Sequence, residues 1–350
     1  MSDALPRYVD VYLEPLRGWL EREDVVEIAI NPDGSIWIER LGSASMEMID
    51  KRVTAREAVD LATSLVANTN ARVSREQPVV SGKIEYAGQP LRVQVVISPA
   101  VEAGASITIR MFGKSSRALP EPEWLFGQAV SLDDQRIEAL LEVQALASHD
   151  LKAAMRMIMH KKLNVIVSGG TSSGKTTFTR WLLQSAGEND RIITIEDAFE
   201  LFPHQPNTVS LLADRQVGSA RTAEALLQAS LRMRPDRIVV GELRGREALT
   251  FLEAINTGHG GSVTTLHAET ANLAIDRLAL MVLQAGTPLT FAEIKDYIAR
   301  SVDVIVQLAR TDGKRGVTEM YLPGRQDMTV HSNKGVFAHD LENKNGASPP

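Results

Sequence analysis

Gly169-Gly170-Thr171-Ser172-Ser173-Gly174-Lys175-Thr176, with Thr177 next in line, fits the spacing G-x-x-x-x-G-K-[ST], and that spacing suits a phosphate. Glycines let backbone N–H groups turn toward phosphate oxygens where a Cβ would stand in the way. A helix leaving at Lys175 adds the positive end of its dipole. The Lys175 ammonium reaches β- and γ-phosphates, and the Thr176 hydroxyl can ligate Mg²⁺. A Gly/Ser-rich turn that merely matches is the bland alternative, and the apolar run from Leu163 to Val167 ahead of the loop weighs against it. The loop alone names a nucleoside triphosphate and says nothing of the task.

Two acidic strand ends come next. Ile192-Ile193-Thr194-Ile195 ends in Glu196 and Asp197, and Arg237-Ile238-Val239-Val240-Gly241 ends in Glu242. In a parallel α/β sheet the ligand crevice lies beyond the carboxyl ends of the strands, so these acids are expected to face the phosphates. Glu242 is the candidate for orienting the attacking water, with Glu196 assisting and Asp197 close behind. Acids at strand ends are also ordinary helix caps, which is the competing account for each alone. Gly241 stands where a magnesium-holding Asp is usual, so the metal falls to Thr176, phosphate oxygens, waters and Glu242. His267 follows the strand-like run Gly261-Ser262-Val263-Thr264-Thr265-Leu266, which is expected in the same sheet. A lone histidine is more often structural. The loop Thr257-Gly258-His259-Gly260-Gly261-Ser262 reads as a flexible turn near the site.

The elements that must position these groups are legible as patterns. From Leu163 onward, short β-branched runs alternate with helical stretches, which argues for a parallel sheet with crossover helices. The expected fold class is α/β, with a smaller α+β unit in front. In that unit Leu5, Val9, Leu13, Leu16 and Leu20 recur at helical spacing. EIAI and SIWIE flank the turn Asn31-Pro32-Asp33-Gly34 as a hairpin. Thr54 with Glu57 is a capping box for a helix to about Ala67. KIEYAG with LRVQVVI reads as a second hairpin, and ASITIRMF as one more strand. Residues 1–112 form the expected first domain, 113–130 a linker whose Gly, Pro and Ser content marks Gly113 to Trp124, 131–330 the second domain, and 331–350 a frayed polar tail. A helical stretch is expected from Ser131 to about Lys161.

Bulk composition bounds the classes. The 350 residues are 44% hydrophobic and 23% charged, ordinary for a chain with real cores. A formal net charge of −6 gives no global basic field for nucleic acid, so no stable direct nucleic-acid binding is expected. The absence of cysteine excludes disulfides, thiolate metal sites and cysteine nucleophiles. No run of about 18 apolar residues occurs and the N-terminus lacks a secretory pattern, so a cytoplasmic chain without a transmembrane segment is expected.

GGTSSGKTT, TIEDAFEL, LRMRPDRIVVGELRG and NTGHGGSVTTLHAET together resemble the secretion-ATPase superfamily, and most of all its type IV secretion and conjugative-transfer traffic ATPases of the VirB and Trb kind. The four ordered motifs span Gly169 to Thr270, and the two-domain layout covers most of the chain. The resemblance implies a RecA-like ATPase domain that uses ATP and Mg²⁺. It also implies a homohexameric ring on the cytoplasmic face of the inner membrane, attached peripherally to secretion or conjugation components. Glu196 and Asp197 match the family's acidic "Asp box", Glu242 its Walker B element, and His267 its "His box", implying a γ-phosphate sensor. Arg92 and Arg110 match the N-terminal arginines that reach the nucleotide; read alone, both are outward strand arginines. Arg232, Arg234, Arg244 and Arg246 cluster near the third motif, and spacing does not rank them. Two other classes stay open at this point: a DNA-handling RecA-type helicase or packaging motor, and a monomeric P-loop kinase or nucleotide switch.

Overall fold

The computed structural model describes residues 8–112, 121–216, 218–324 and 329–331, and among these two sheets form. The first sheet begins after two short helices, α1 (Tyr8–Leu13) and α2 (Arg17–Leu20), joined by a single helical turn. Val9, Leu13, Leu16 and Leu20 of this stretch are buried, as their spacing predicts. Leu5 of that pattern lies outside the described residues. Strands β1 (Val25–Ile30) and β2 (Ser35–Arg40) pair as the predicted hairpin, with Ile30 opposite Ile36. Gly34 takes φ +81°, and a Cβ there would meet the Val53 carbonyl oxygen at 2.0 Å. β3 (Glu47–Arg52) escapes sequence reading because this edge strand carries little apolar alternation. Helix α3 (Ala55–Ala67) starts at Thr54 with the full capping box. It covers one face of a six-stranded sheet ordered β3-β2-β1-β6-β5-β4, where β4 is Val79–Tyr86, β5 Gln89–Ile97 and β6 Ala105–Met111.

Gly113 to Pro120 of the expected linker lie outside the described residues, and 121–130 contain neither helix nor strand. The helical stretch expected from Ser131 to about Lys161 consists of two helices, α4 (Leu132–Ala147) and α5 (Leu151–His160). Asp150 ends the continuity, because its carboxylate caps α5 by accepting from the Ala153 N–H at 2.9 Å. The chain then alternates as predicted: β7 (Val165–Gly169), α6 (Lys175–Leu183), β8 (Ile192–Glu196), β9 (Thr208–Leu212), α7 (Ala223–Ser230), β10 (Arg237–Val240), α8 (Glu247–Asn256) and β11 (Val263–Leu266). Helices α9 (Ala271–Gln284) and α10 (Phe291–Ser301) follow, then β12 (Val304–Thr311), β13 (Lys314–Tyr321) and β14 (Thr329–His331). The eight strands run β14-β13-β12-β7-β11-β10-β8-β9, parallel from β9 through β12 and antiparallel beyond.

The first sheet packs against the β9 edge. Val96, Ala100 and Val101 join the core that holds Leu211, Leu227 and Met233, and the Leu212 N–H donates to the Ala100 carbonyl at 2.8 Å. At the other end of that edge, the fully buried Arg191 donates to Asn31 Oδ1 at 2.8 Å, and Arg234 pairs with Glu39 at 2.7 Å.

Candidate active site

Register brings the sequence motifs together. Ile195 of β8 lies opposite Val240 of β10, Val240 opposite Thr264 of β11, and Leu266 of β11 opposite Ser168 of β7. The carboxyl ends are therefore level, and the residues one or two places beyond them converge. Ser172, Gly174, Lys175, Thr176, Thr177, Glu196, Asp197, Glu242, Arg244, Thr265, His267 and Arg315 line one cleft of about 470 Å³. Gly170 and Thr171 open onto an adjoining groove with His267, while Gly169 and Ser173 are buried beneath the loop. A Cβ on Gly169 would meet Ser173 Oγ at 2.5 Å and the Leu308 carbonyl oxygen at 2.6 Å, so the loop needs glycine there. Gly174 sits at φ +95° at the start of α6, and no side chain caps that helix. Its first N–H groups are left for an anion.

A relay of three side chains crosses the cleft. Lys175 Nζ donates to the carbonyls of Gly169 and Gly170 at 2.9 and 3.1 Å and to His267 Nδ1 at 3.2 Å. His267 Nε2 stands 3.2 Å from Glu242 Oε1. With Nδ1 accepting from an ammonium, the ring proton belongs on Nε2, where it is donated to Glu242. Burial depresses the His267 pKa, Glu242 opposes this, and Lys175 adds to the depression, so the imidazole is neutral at pH 7. Burial also lowers the Lys175 pKa, against the pull of Glu242. At Glu242, burial disfavours the charge, but the hydrogen bond from Arg244 and the nearby His267 and Lys175 hold its pKa below the usual carboxylate value. Glu242 is therefore an ionised acceptor at neutral pH.

The acids of the second motif are differently occupied. Glu196 is buried, accepting from the Thr194 hydroxyl at 2.7 Å and from the Glu200 and Leu201 N–H groups at 2.8 and 2.9 Å. It pins the loop that forms one wall. Asp197 pairs with Arg215 at 2.6 Å and stands 3.9 Å from Arg244. The structure also ranks the four arginines that spacing did not. Arg244 lines the cleft and binds Glu242, Arg234 binds Glu39 and Asp236, and Arg232 and Arg246 donate to the Gln228 and Ala285 carbonyls.

Three placements differ from expectation or escaped it. Arg92 and Arg110 are exposed and face each other across β5 and β6, but neither lines this cleft. The Gly-rich loop from Thr257 to Ser262 precedes β11, so it lies at the opposite end of that strand from His267. There Asn164 accepts from the Gly261 N–H at 3.0 Å, and Arg237 donates to the Gly261 carbonyl at 3.0 Å. Arg315 went unread because nothing local marks a strand arginine as a site residue.

The cleft brings together the glycine loop, a free helix start and cations that a nucleotide's phosphates require. Among the described residues no cluster of three or more His, Asp or Glu could hold a metal. The Thr176 hydroxyl and Glu242 both line the cleft, and a divalent cation held by these two alone would need phosphate oxygens to complete its shell.

The Type II/IV secretion system protein family matches residues 80–340. The conjugal transfer protein TrbB of Rhizobium radiobacter is 34% identical over 304 residues, covering 86% of this chain and 84% of that protein. The type IV secretion system protein VirB11 of Bartonella henselae is 32% identical over 341 residues, covering 92% and 94%. Among solved structures, the VirB11 ATPase from the Brucella suis type IV secretion system, crystallised in complex with sulphate, superposes with a TM-score of 0.77 at 32% identity over 90% of this chain and 97% of that one.

Proposed function

This chain belongs to the Type II/IV secretion system protein family, and from that footing we propose that it is an ATP-hydrolysing motor powering type IV secretion or conjugative transfer. The observation that carries the proposal is the Lys175–His267–Glu242 relay at the level ends of β7, β11 and β10. Lys175, the N–H groups of the loop and the start of α6 bind the phosphates. Glu242, ionised and aimed into the cleft, orients the attacking water and accepts its proton. His267 reports on the γ-phosphate: when Lys175 turns its donors to phosphate, the Nδ1 contact is released and the partner of Glu242 is freed to shift. Glu196 acts through the loop it pins, and Asp197 holds Arg244 and Arg215 at the rim. Thr176 and Glu242 would hold Mg²⁺, which when bound supplies charge neutralisation at the phosphates.

The two sheets are the two domains of this proposal, with bounds near residues 112 and 131, and nucleotide changes the angle between them. The chain works as a homohexameric ring at the cytoplasmic face of the inner membrane, against components of the secretion or conjugation complex. In support, the relatives are named for conjugal transfer and type IV secretion. Among the described residues no helix is long and apolar enough to cross a membrane. Arg92 and Arg110 stand outside their own chain's cleft, so we assign their nucleotide contact to the site of a neighbouring copy.

The test is steady-state ATP hydrolysis by wild type and Glu242→Gln, fractionated by size with and without ATP and Mg²⁺. Turnover confined to a ring-sized species and lost in the variant supports the motor. Full activity in a monomer points to a kinase or switch, and strong stimulation by single-stranded DNA points to a DNA-handling motor.

A further inference from the structure

We propose that Arg315 is a phosphate ligand of the nucleotide site, carried there by a hairpin that straps the phosphate loop. The inference rests on the nucleotide reading of the cleft and extends it. β12 and β13 are joined by Asp312 and Gly313 at φ +52° and +77°, the two-residue turn that matches strand twist. β12 pairs with β7 as far as Leu308 opposite Gly169, so Ala309 to Thr311 run on past the end of the strand that feeds the loop. The hairpin register then places Arg315 opposite Arg310.

Arg315 Nε donates to the Ser172 carbonyl at 2.8 Å, and its Cδ stands 3.4 Å from where a Cβ on Gly174 would be. Ser172 itself is held at φ +62°. One donor of the guanidinium thus braces the loop of a cleft that Arg315 itself lines, and four N–H donors of the group are left over. Charge accounting points the same way. Of the cations lining the cleft, Arg244 is committed to Glu242 and Asp197, whereas Lys175 and Arg315 have no carboxylate within 4.0 Å among the described residues. Arg310 has none either, and like charges placed opposite on a hairpin destabilise it. An anion beside Arg315 relieves that repulsion, and the neighbouring phosphate loop supplies one when nucleotide binds. The brace also holds the side chain in place beforehand, which lowers the ordering cost of contacting phosphate.

The experiment measures ADP and ATP affinity of the full chain by calorimetry for wild type, Arg315→Ala, Arg315→Gln and Arg315→Lys, with inorganic pyrophosphate as competitor. Arg315→Ala and Arg315→Gln are expected to weaken ADP, ATP and pyrophosphate by about tenfold and to lessen the salt dependence of binding. Arg315→Lys is expected to recover part of the loss through its charge. Glutamine keeps a donor for the Ser172 carbonyl but no charge. Wild-type affinity in Arg315→Gln would therefore reduce Arg315 to a brace, and wild-type affinity in a folded Arg315→Ala would remove it from the site. Lys175→Ala, run in parallel, separates the two readings. If it too binds ADP normally, the nucleotide site itself is misassigned; if it loses ADP while the Arg315 variants do not, only the strap fails.

Discussion

Glu242, His267 and Lys175 act as one hydrogen-bonded unit, so their variants are expected to differ in kind and not only in degree. Glu242→Gln keeps the shape and a hydrogen-bonding head but loses the acceptor charge, so hydrolysis should fall ~100-fold or more while ATP binding persists. Loss of binding on calorimetry would instead make Glu242 chiefly a metal ligand. Lys175→Ala should abolish both binding and turnover. His267 adds a pH signature. Its pKa lies below the ordinary 6.5, so the neutral ring predominates from pH 7 down to that point, and kcat should be flat there. The acid limb should appear only below about pH 6.5 and vanish in His267→Gln. An unchanged acid limb in that variant would assign the titration to another group.

At the scale of elements, local chemistry was the reliable guide. The NPDG turn, the Thr54 capping box and the alternation of β7 through β11 were legible because each is a contest among near neighbours in sequence. Gly34 tests this directly. Its φ of +81° and the Val53 carbonyl in its path predict that Gly34→Ala costs about 1–3 kcal/mol or more, read as a lowered midpoint in denaturant unfolding; an unchanged midpoint would mean the turn relaxes freely. What that reading left out has equally local causes. The Ser131 to Lys161 stretch is helical on both sides of a break made by the Asp150 cap, and β3 hides because Glu47, Met48, Asp50, Lys51 and Arg52 are all exposed.

At the scale of the molecule, the contact between the two sheets carries buried charge. Glu27 is 5% exposed; burial lifts its pKa to about 7, with Arg110, Arg191 and Arg234 opposing and Glu39 reinforcing. A carboxyl whose folded pKa is raised contributes stability that is fully present below its unfolded value near 4.5 and lost as pH rises through about 7. Wild type should therefore lose on the order of 2–3 kcal/mol between pH 5 and pH 8 from this group. Glu27→Gln should lack that loss in thermal unfolding, and parallel pH profiles of the two proteins would refute the assignment. The ring proposal has its own test at this scale. Arg110→Ala and Lys175→Ala should each be inactive alone, yet mixing them should restore part of the activity if Arg110 serves a neighbour's cleft. No recovery in mixed rings would return Arg110 to its own chain.

The sequence by itself determined the chemistry on offer: a glycine loop followed by Lys175 and Thr176, and apolar strands ending in Glu196, Asp197 and Glu242. These are properties of adjacent residues, set by backbone freedom, strand propensity and charge. Partnership was decided only by the tertiary structure. His267 meets Lys175 across 92 positions and Arg315 meets Ser172 across 143, because β11 and β12 flank β7 in a fixed register. The same through-space arrangement turned Glu196 inward as a loop clamp, chose Arg244 from four arginines, and set Arg92 and Arg110 outside the cleft. A carboxylate or guanidinium has no specific role until its counter-charge is placed, and that placement is the work of sheet order and register.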